Sequence, residues 1–274
     1  MTRKELRRRW LILHKRYEAK GMRIFRKGIR KTLENIPFDK LETWNYKGYI
    51  HIITDTDNIF QAYQELYTTI GVRHGKKIGR SINKEIRKEK NFDPSSFQES
   101  YAEFIRSWLF NNGGLRIVSV KEELIEYLIK FIANGMETGK DIRTISRELQ
   151  KHILSRGFYR WQIERIVRTE TTAAANFGAI QAGESSGVVW EKEWISSRDG
   201  RTRRRPEDQF DHFDIDGMRV PKGDKFDVQG DLLDYPGDPK GQPGNTINCR
   251  CTVAVVPKRD EQGRLIFTNS LLTR

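Results

Sequence analysis

From Lys4 to Asn35 the apolar residues Leu6, Trp10, Leu13, Tyr17, Ile24, Phe25, Ile29 and Leu33 recur mostly three, four or seven apart. That spacing puts them on one stripe of a helix and predicts one long amphipathic helix, or two end to end. Ile36-Pro37 closes it, because the residue before proline is pushed out of the helical basin. Tyr49 to Ile53 is too short for periodicity to decide, and its context favours helix. A second long pattern starts at Asp57 and runs to about Glu89 through Ile59, Tyr63, Leu66, Tyr67, Ile70, Ile78, Ile82 and Ile86, with a break expected near Gly71 or Gly75. Another stripe lies between Ser96 and Phe110, and Ser119 with Glu122 reads as a capping box opening the next helix. Helices are also expected from Asp141 to Leu154 and from Tyr159 to about Ala182.

After Gly187 the period changes to two. Trp190, Lys192 and Trp194 alternate with Val189, Glu191 and Glu193, the pattern of a half-exposed strand. Asp199-Gly200 signals a turn. Met218 to Val220 and Cys249 to Val256 read as returning strands, and the Gly-, Pro- and Asp-rich stretch from Lys222 to Thr246 as loop. The expected fold class is α+β, mainly helical: an elongated helical N-terminal half with a small α+β C-terminal domain. The domain boundaries follow as 1–155, 156–257 and a polar C-terminal tail, 258–274.

The order of motifs in the last third resembles a known family. Arg168-Thr169-Glu170-Thr171 is followed by small residues and Asn176, then by Asp199, Arg201, Thr202 and Arg203. His212, Ile215, Asp216 and Gly217 come next, then a Pro-rich loop and Ile247-Asn248-Cys249-Arg250-Cys251. Together they resemble the phage Mu F-like minor head protein domain, also called the phage head morphogenesis domain, over roughly residues 155–256. The chain departs from that pattern in the extra residues Arg204 to Asp211. The resemblance implies a non-enzymatic minor capsid component associated with the portal vertex inside the head, with the portal protein and other head proteins as partners. Its place is then the virion, and the host cytoplasm during assembly.

Charge adds a further partner. Over 274 residues the formal net charge is +13, which implies a polyanionic neighbour. No apolar run approaches the length of a membrane span and no signal peptide opens the chain, so no membrane partner is expected. Double-stranded DNA contacted without sequence choice fits best, through Arg7, Arg8, Arg9, Arg16, Arg23, Arg26, Lys27 and Arg30 on the polar face of the first helix. Arg201, Arg203, Arg204 and Arg205 are the second choice, although Glu207, Asp208, Asp211, Asp214 and Asp216 follow closely enough to neutralise them. Trp10 and Phe25, on the apolar face, are candidates for a surface that meets protein partners, and His74 is expected at the surface.

Arg168 and Glu170, two apart on a helix, cannot pair and are expected to anchor different neighbours. With Asn176, Asp199, Arg201, His212, Asp216, Gly217, Asn248, Cys249 and Cys251 they form the structural motif set. No catalytic residue is assigned. The alternative is a DNA-acting nuclease or transferase carried in the virion, drawing on Arg168, Glu170, His212 and Cys249. Cys249 and Cys251 sit too close for an ordinary disulfide. With His212 they form a possible zinc constellation whose fourth ligand would come from Asp199, Asp214 or another acid. The alternative is a histidine tied to a carboxylate beside two thiols that pack as small hydrophobes.

Overall fold

A computed structural model of the chain describes residues 2–34, 36–54, 56–86, 114–155, 157 and 159–268. The helix anticipated between Ser96 and Phe110 lies outside the described residues. The elements are α1 (Arg3–Glu34), a 3-10 turn (Phe38–Lys40), α2 (Tyr46–Ile53), α3 (Asp57–Ile86), α4 (Gly114–Glu137), α5 (Ile142–Leu154) and α6 (Arg160–Glu184). They are followed by β1 (Trp190–Ile195), β2 (Arg219–Pro221), β3 (Phe226–Val228), β4 (Asp231–Leu233), α7 (Pro243–Thr246) and β5 (Thr252–Pro257). The protein is α+β and mainly helical. Among the described residues no helix is long and apolar enough to cross a membrane.

The chain packs into two compact units that do not follow its order. One comprises residues 1–21, 66–106 and 165–274; the other comprises 22–65 and 107–164. This division differs from the boundary expected at 155/156. The reason is that α1, α3 and α6 each change unit partway along, so residues far apart in sequence share a core.

In the smaller unit, Ile24, Phe25, Ile29 and Leu33 of α1 are buried with Ile50, Ile59, Leu124, Leu128, Ile145 and Leu149. Phe25 and Tyr63 meet edge to face, their ring centres 5.0 Å apart. Asp141 caps α5 by accepting from the Arg143 and Thr144 amides. The capping box expected at Ser119 is absent, because α4 starts at Gly114 and runs through it. Gly135 sits inside that helix, where a Cβ would come within 2.9 Å of Ile145 side-chain carbons.

In the larger unit, the sheet order is β2-β1-β5, all antiparallel, with Trp194 opposite Val253 and Lys192 opposite Val220 and Val255. The alternation that promised a half-exposed strand is there, but both faces are covered: Lys192 and Glu193 are buried beside Trp190 and Trp194. Burial is tolerable because Lys192 Nζ donates to the Asp234 carbonyl, and because Glu193 meets Arg3 and Arg219. Part of the expected loop pairs as the hairpin β3-β4. The polar tail also folds back as far as Thr268: Leu265 and Phe267 pack on Ile82, Ile86 and Val188.

The helix α3 is not broken at Gly71 or Gly75. At Gly178 of α6 a Cβ would lie 2.2 Å from the Gly71 carbonyl oxygen, so the two backbones touch where both residues lack a side chain. His74 is buried, against expectation, with Nδ1 3.5 Å from the Tyr17 hydroxyl. Trp10 and Phe25 are buried too, 3 % and 0 % exposed. The apolar face of α1 is used by the protein's own cores, so Phe25 offers no surface to a partner and Trp10 next to none.

Candidate functional site

Arg168, Thr172 and Asn176, four apart on one face of α6, hold the Asn248–Cys251 segment against it. Arg168 Nε donates to Glu18 at 3.0 Å and a terminal nitrogen to Asn248 Oδ1 at 3.2 Å, while Glu170 accepts from the Tyr67 hydroxyl at 2.8 Å. The two therefore anchor different neighbours, as their spacing requires. Thr172 donates to the Cys249 carbonyl at 2.6 Å. Asn176, fully buried, donates to the carbonyls of Pro236 and Cys251 and accepts from the Thr252 hydroxyl and the Val253 amide. An amide suits this place because it alone offers two donors and an acceptor in one plane.

Asp216, next to Gly217 (φ +88°), is a second hub. Its carboxylate takes Arg7 at 2.7 Å, Arg198 at 2.8 Å and the Ser196 amide at 2.8 Å. Asp199 accepts from its own turn at Arg201 N and Thr202 and is bridged by Arg250. Arg203 donates to the Ile247 carbonyl at 2.6 Å and lies 3.4 Å from Asp208. Arg204 faces Glu207 at 3.8 Å, and Arg205 reaches the Gln209 carbonyl at 3.4 Å. Arg7 and Arg203 are thus turned inward, away from the role in binding DNA that their charge suggested.

Below this loop His212, Cys249 and Cys251 are all buried, and their ligand atoms lie within 4.8 Å of one another. The sulfurs are 3.7 and 3.6 Å from His212 Nδ1. The other ring nitrogen, Nε2, is 2.5 Å from Asn245 Oδ1, and Asn245 Nδ2 donates to Asp231 at 2.7 Å. The edge of the Trp194 ring system closes the space, ring centres 5.2 Å apart. The Cys249 thiol is pushed up by its hydrogen bond with Cys251 and by burial. Burial acts on Cys251 too, but the bond from Cys249 and the adjacent imidazole outweigh it and hold that thiol low. The cysteines do not lie on a strand, because β5 begins at Thr252. Of the acids anticipated as a fourth ligand, Asp199 is taken by Arg250, and neither it nor Asp214 is in the cluster.

A different part of the same unit carries the free charge. A groove of about 1020 Å³ is floored by apolar and aromatic side chains such as Trp10, Tyr17, Ile82 and Val253, and rimmed by cations. Of these, Arg3 and Arg219 meet Glu193, and Arg259 meets Glu85. Arg9, Arg16, Arg73, Lys77, Arg80 and Lys84 are exposed and have no ion pair among the described residues. Partial burial, together with Arg9, Arg16 and Arg73, holds the Lys77 pKa below its ordinary value.

Arg9 and Arg16 were legible as candidates. Arg73, Lys77, Arg80 and Lys84 were missed, although their spacing of four, three and four is itself a helical stripe. Arg8 is exposed but does not line the groove, and Arg23, Arg26, Lys27 and Arg30 belong to the smaller unit.

Beneath the groove lie His14 and His74. Burial, reinforced for His14 by Arg250 and Arg168 and for His74 by Lys77, pushes both down to about 3. Glu18 lies 3.6 Å from His14 but is shared with Arg168, so it does not restore the proton.

Residues 128–254 match the family described as Phage Mu protein F like protein. The match begins within α4, earlier than the expected residue 155, over helices that carry an ordinary helical pattern and no motif to announce them. No curated protein and no solved structure matches the chain.

Proposed function

We propose that this chain, which carries a Phage Mu protein F-like domain over residues 128–254, is a non-enzymatic component of a phage head that contacts packaged duplex DNA at the portal vertex. The domain supports a role in head morphogenesis alongside other head proteins. The observation that carries the DNA reading is the groove, where six exposed cations from α1 and α3 face one opening with no carboxylate partner among the described residues. Such an array suits a phosphate backbone and carries no sequence information, since phosphate contacts position and do not specify. The motif residues do not argue for catalysis. Arg168 and Glu170 are engaged by side chains of the fold, and each is better explained as a brace than as a reacting group.

The test is a binding titration of the full chain on duplexes of unrelated sequence across a salt series, with and without magnesium. Equal affinity for all sequences and a steep fall with salt are expected, with the strands intact. No binding at low salt would remove DNA from the reading. Strand cleavage lost in His212→Ala would replace the structural role with a nuclease. Portal association is tested separately by copy number in purified virions, where a low multiple per particle is expected.

A further inference from the structure

We infer that His212, Cys249 and Cys251 form a zinc site that clamps the loop around residue 212 to the Ile247–Cys251 segment. The first ground is the donor set. Two thiolates and a neutral imidazole are soft ligands of the kind that select zinc, and two thiolates balance the ion's charge, so the filled site is neutral and suited to full burial.

The second ground is distance. With ordinary Zn–S and Zn–N bonds, the N to S edge of a tetrahedron is about 3.6 Å. The two edges here are 3.7 and 3.6 Å.

The third ground is the tautomer. The Asp231 carboxylate can only accept, so it fixes the Asn245 amide with its NH2 towards Asp231 and its oxygen towards His212. That oxygen in turn requires a proton on Nε2. Nδ1 is then left with one lone pair directed at two sulfurs. A hydrogen bond to that lone pair takes one thiol and leaves the other to its neighbouring sulfur, whereas a single cation engages both sulfurs and the ring. An outer partner that orients a ligating histidine in this way is the usual companion of a metal site.

Binding displaces the remaining thiol protons to solvent and leaves one coordination position. Among the described residues no other His, Cys, Asp or Glu side chain joins the cluster, so that position falls to a water or a backbone oxygen. The ion would join segments 37 and 39 residues apart. The buried position implies that it enters as the chain folds.

The experiment uses the full chain, refolded with zinc in excess and then dialysed free of unbound metal, with metal per chain read by elemental analysis. About one zinc per chain is expected in the unaltered protein, falling at least fivefold in Cys251→Ser and in His212→Gln. Cobalt in place of zinc should show the intense absorption of thiolate coordination and the visible bands of a tetrahedral ion. If either variant fails to fold, the unaltered chain still decides. Less than about a tenth of a zinc per chain after refolding, with both thiols reacting as free cysteines on denaturation, overturns the site and leaves a thiol pair hydrogen-bonded to histidine. One bound zinc that survives Cys249→Ser and Cys251→Ser together overturns it as well, since the ion would then lie elsewhere. The outcome is independent of DNA binding, which is tested on the cations of the groove.

Discussion

Two arginine-rich regions of the larger unit carry similar charge and behave differently. In the turn after Asp199 the cations are spent on the fold: Arg203 on the Ile247 carbonyl and Asp208, Arg204 on Glu207, and nearby Arg198 on Asp216. In the groove, Arg9, Arg16, Arg73, Lys77, Arg80 and Lys84 have no such partner among the described residues. The densest run of arginine in the sequence is therefore the less available one. What decides is the supply of carboxylates within reach. Glu207, Asp208, Asp211, Asp214 and Asp216 follow the turn closely, whereas among the described residues the groove is lined by two acids, Glu85 and Glu193, and both are already paired.

The largest expected effect breaks this comparison if it fails. Reversing three groove cations together, Arg9→Glu, Lys77→Glu and Arg80→Glu, changes the local charge by six units. It should weaken duplex binding on the order of a thousandfold at low salt and flatten the salt dependence. The fold should not suffer, because all three side chains are exposed and Arg9, one of the like charges beside Lys77, is removed with it. Fluorescence anisotropy at several salt concentrations and a thermal melt check both halves. Affinity unchanged by the triple reversal would mean that the groove is not where the phosphates lie.

The converse holds for Arg203. Arg203→Ala leaves the Ile247 carbonyl without its charged donor and Asp208 without its partner, at a cost of about 2 kcal/mol in stability. DNA affinity should stay within about twofold. Denaturant unfolding measured beside the binding titration separates the two. A loss of affinity without a loss of stability would place Arg203 with the groove cations after all.

The helical outline was legible because apolar residues three and four apart can hardly be accommodated otherwise, and α1, α5 and α6 fall close to where the pattern puts them. The motif contacts of Arg168 and Glu170 could be read in part from their spacing alone. The partners could not. Nothing in the sequence near Arg7 shows that Asp216, 209 residues away, receives it, or that Asn245 and Asp231 stand behind His212. His74 looked exposed because its sequence neighbours are basic. On a helix those neighbours point elsewhere, while His74 turns in towards Trp10 and Tyr17, ring centres 5.3 and 5.9 Å apart. The covered second face of β1 was unreadable for a related reason: alternation shows which side chains share a face, not whether anything packs on it.

A smaller effect tests the floor of the groove. Below pH 6.5 the imidazoles of an unfolded chain take up protons that His14 and His74, held at about 3, refuse in the folded chain. Their contribution to stability is complete above pH 6.5 and is lost as the pH falls from there towards 3, by about 1.4 kcal/mol per pH unit for each histidine at most. Thermal melts between pH 7 and 5 should therefore show stability declining with acid, less steeply in His74→Gln. A slope unaltered by that substitution would mean that His74 is protonated in the folded state, and that the groove carries one more positive charge than its exposed rim provides.

The smallest expected effect sharpens the comparison from the other side. Arg204 and Glu207 are both well exposed, 62 % and 65 % by side chain, and 3.8 Å apart. Pairs of this kind contribute little to stability, about 0 to 1 kcal/mol. The double variant Arg204→Glu, Arg205→Glu shifts the net charge by four units, yet near physiological salt the influence of exposed charges fades within about 8 Å. If the phosphates lie in the groove, affinity at that salt should change less than about twofold, with a larger loss appearing only at low salt, where long-range attraction to DNA is unscreened. Arg201, exposed and without an ion pair among the described residues, stays intact in this variant, so adding Arg201→Glu isolates the one unspent cation of the turn. A drop of tenfold or more confined to that addition would make the turn a second DNA contact, resting on a single arginine rather than on the run as a whole.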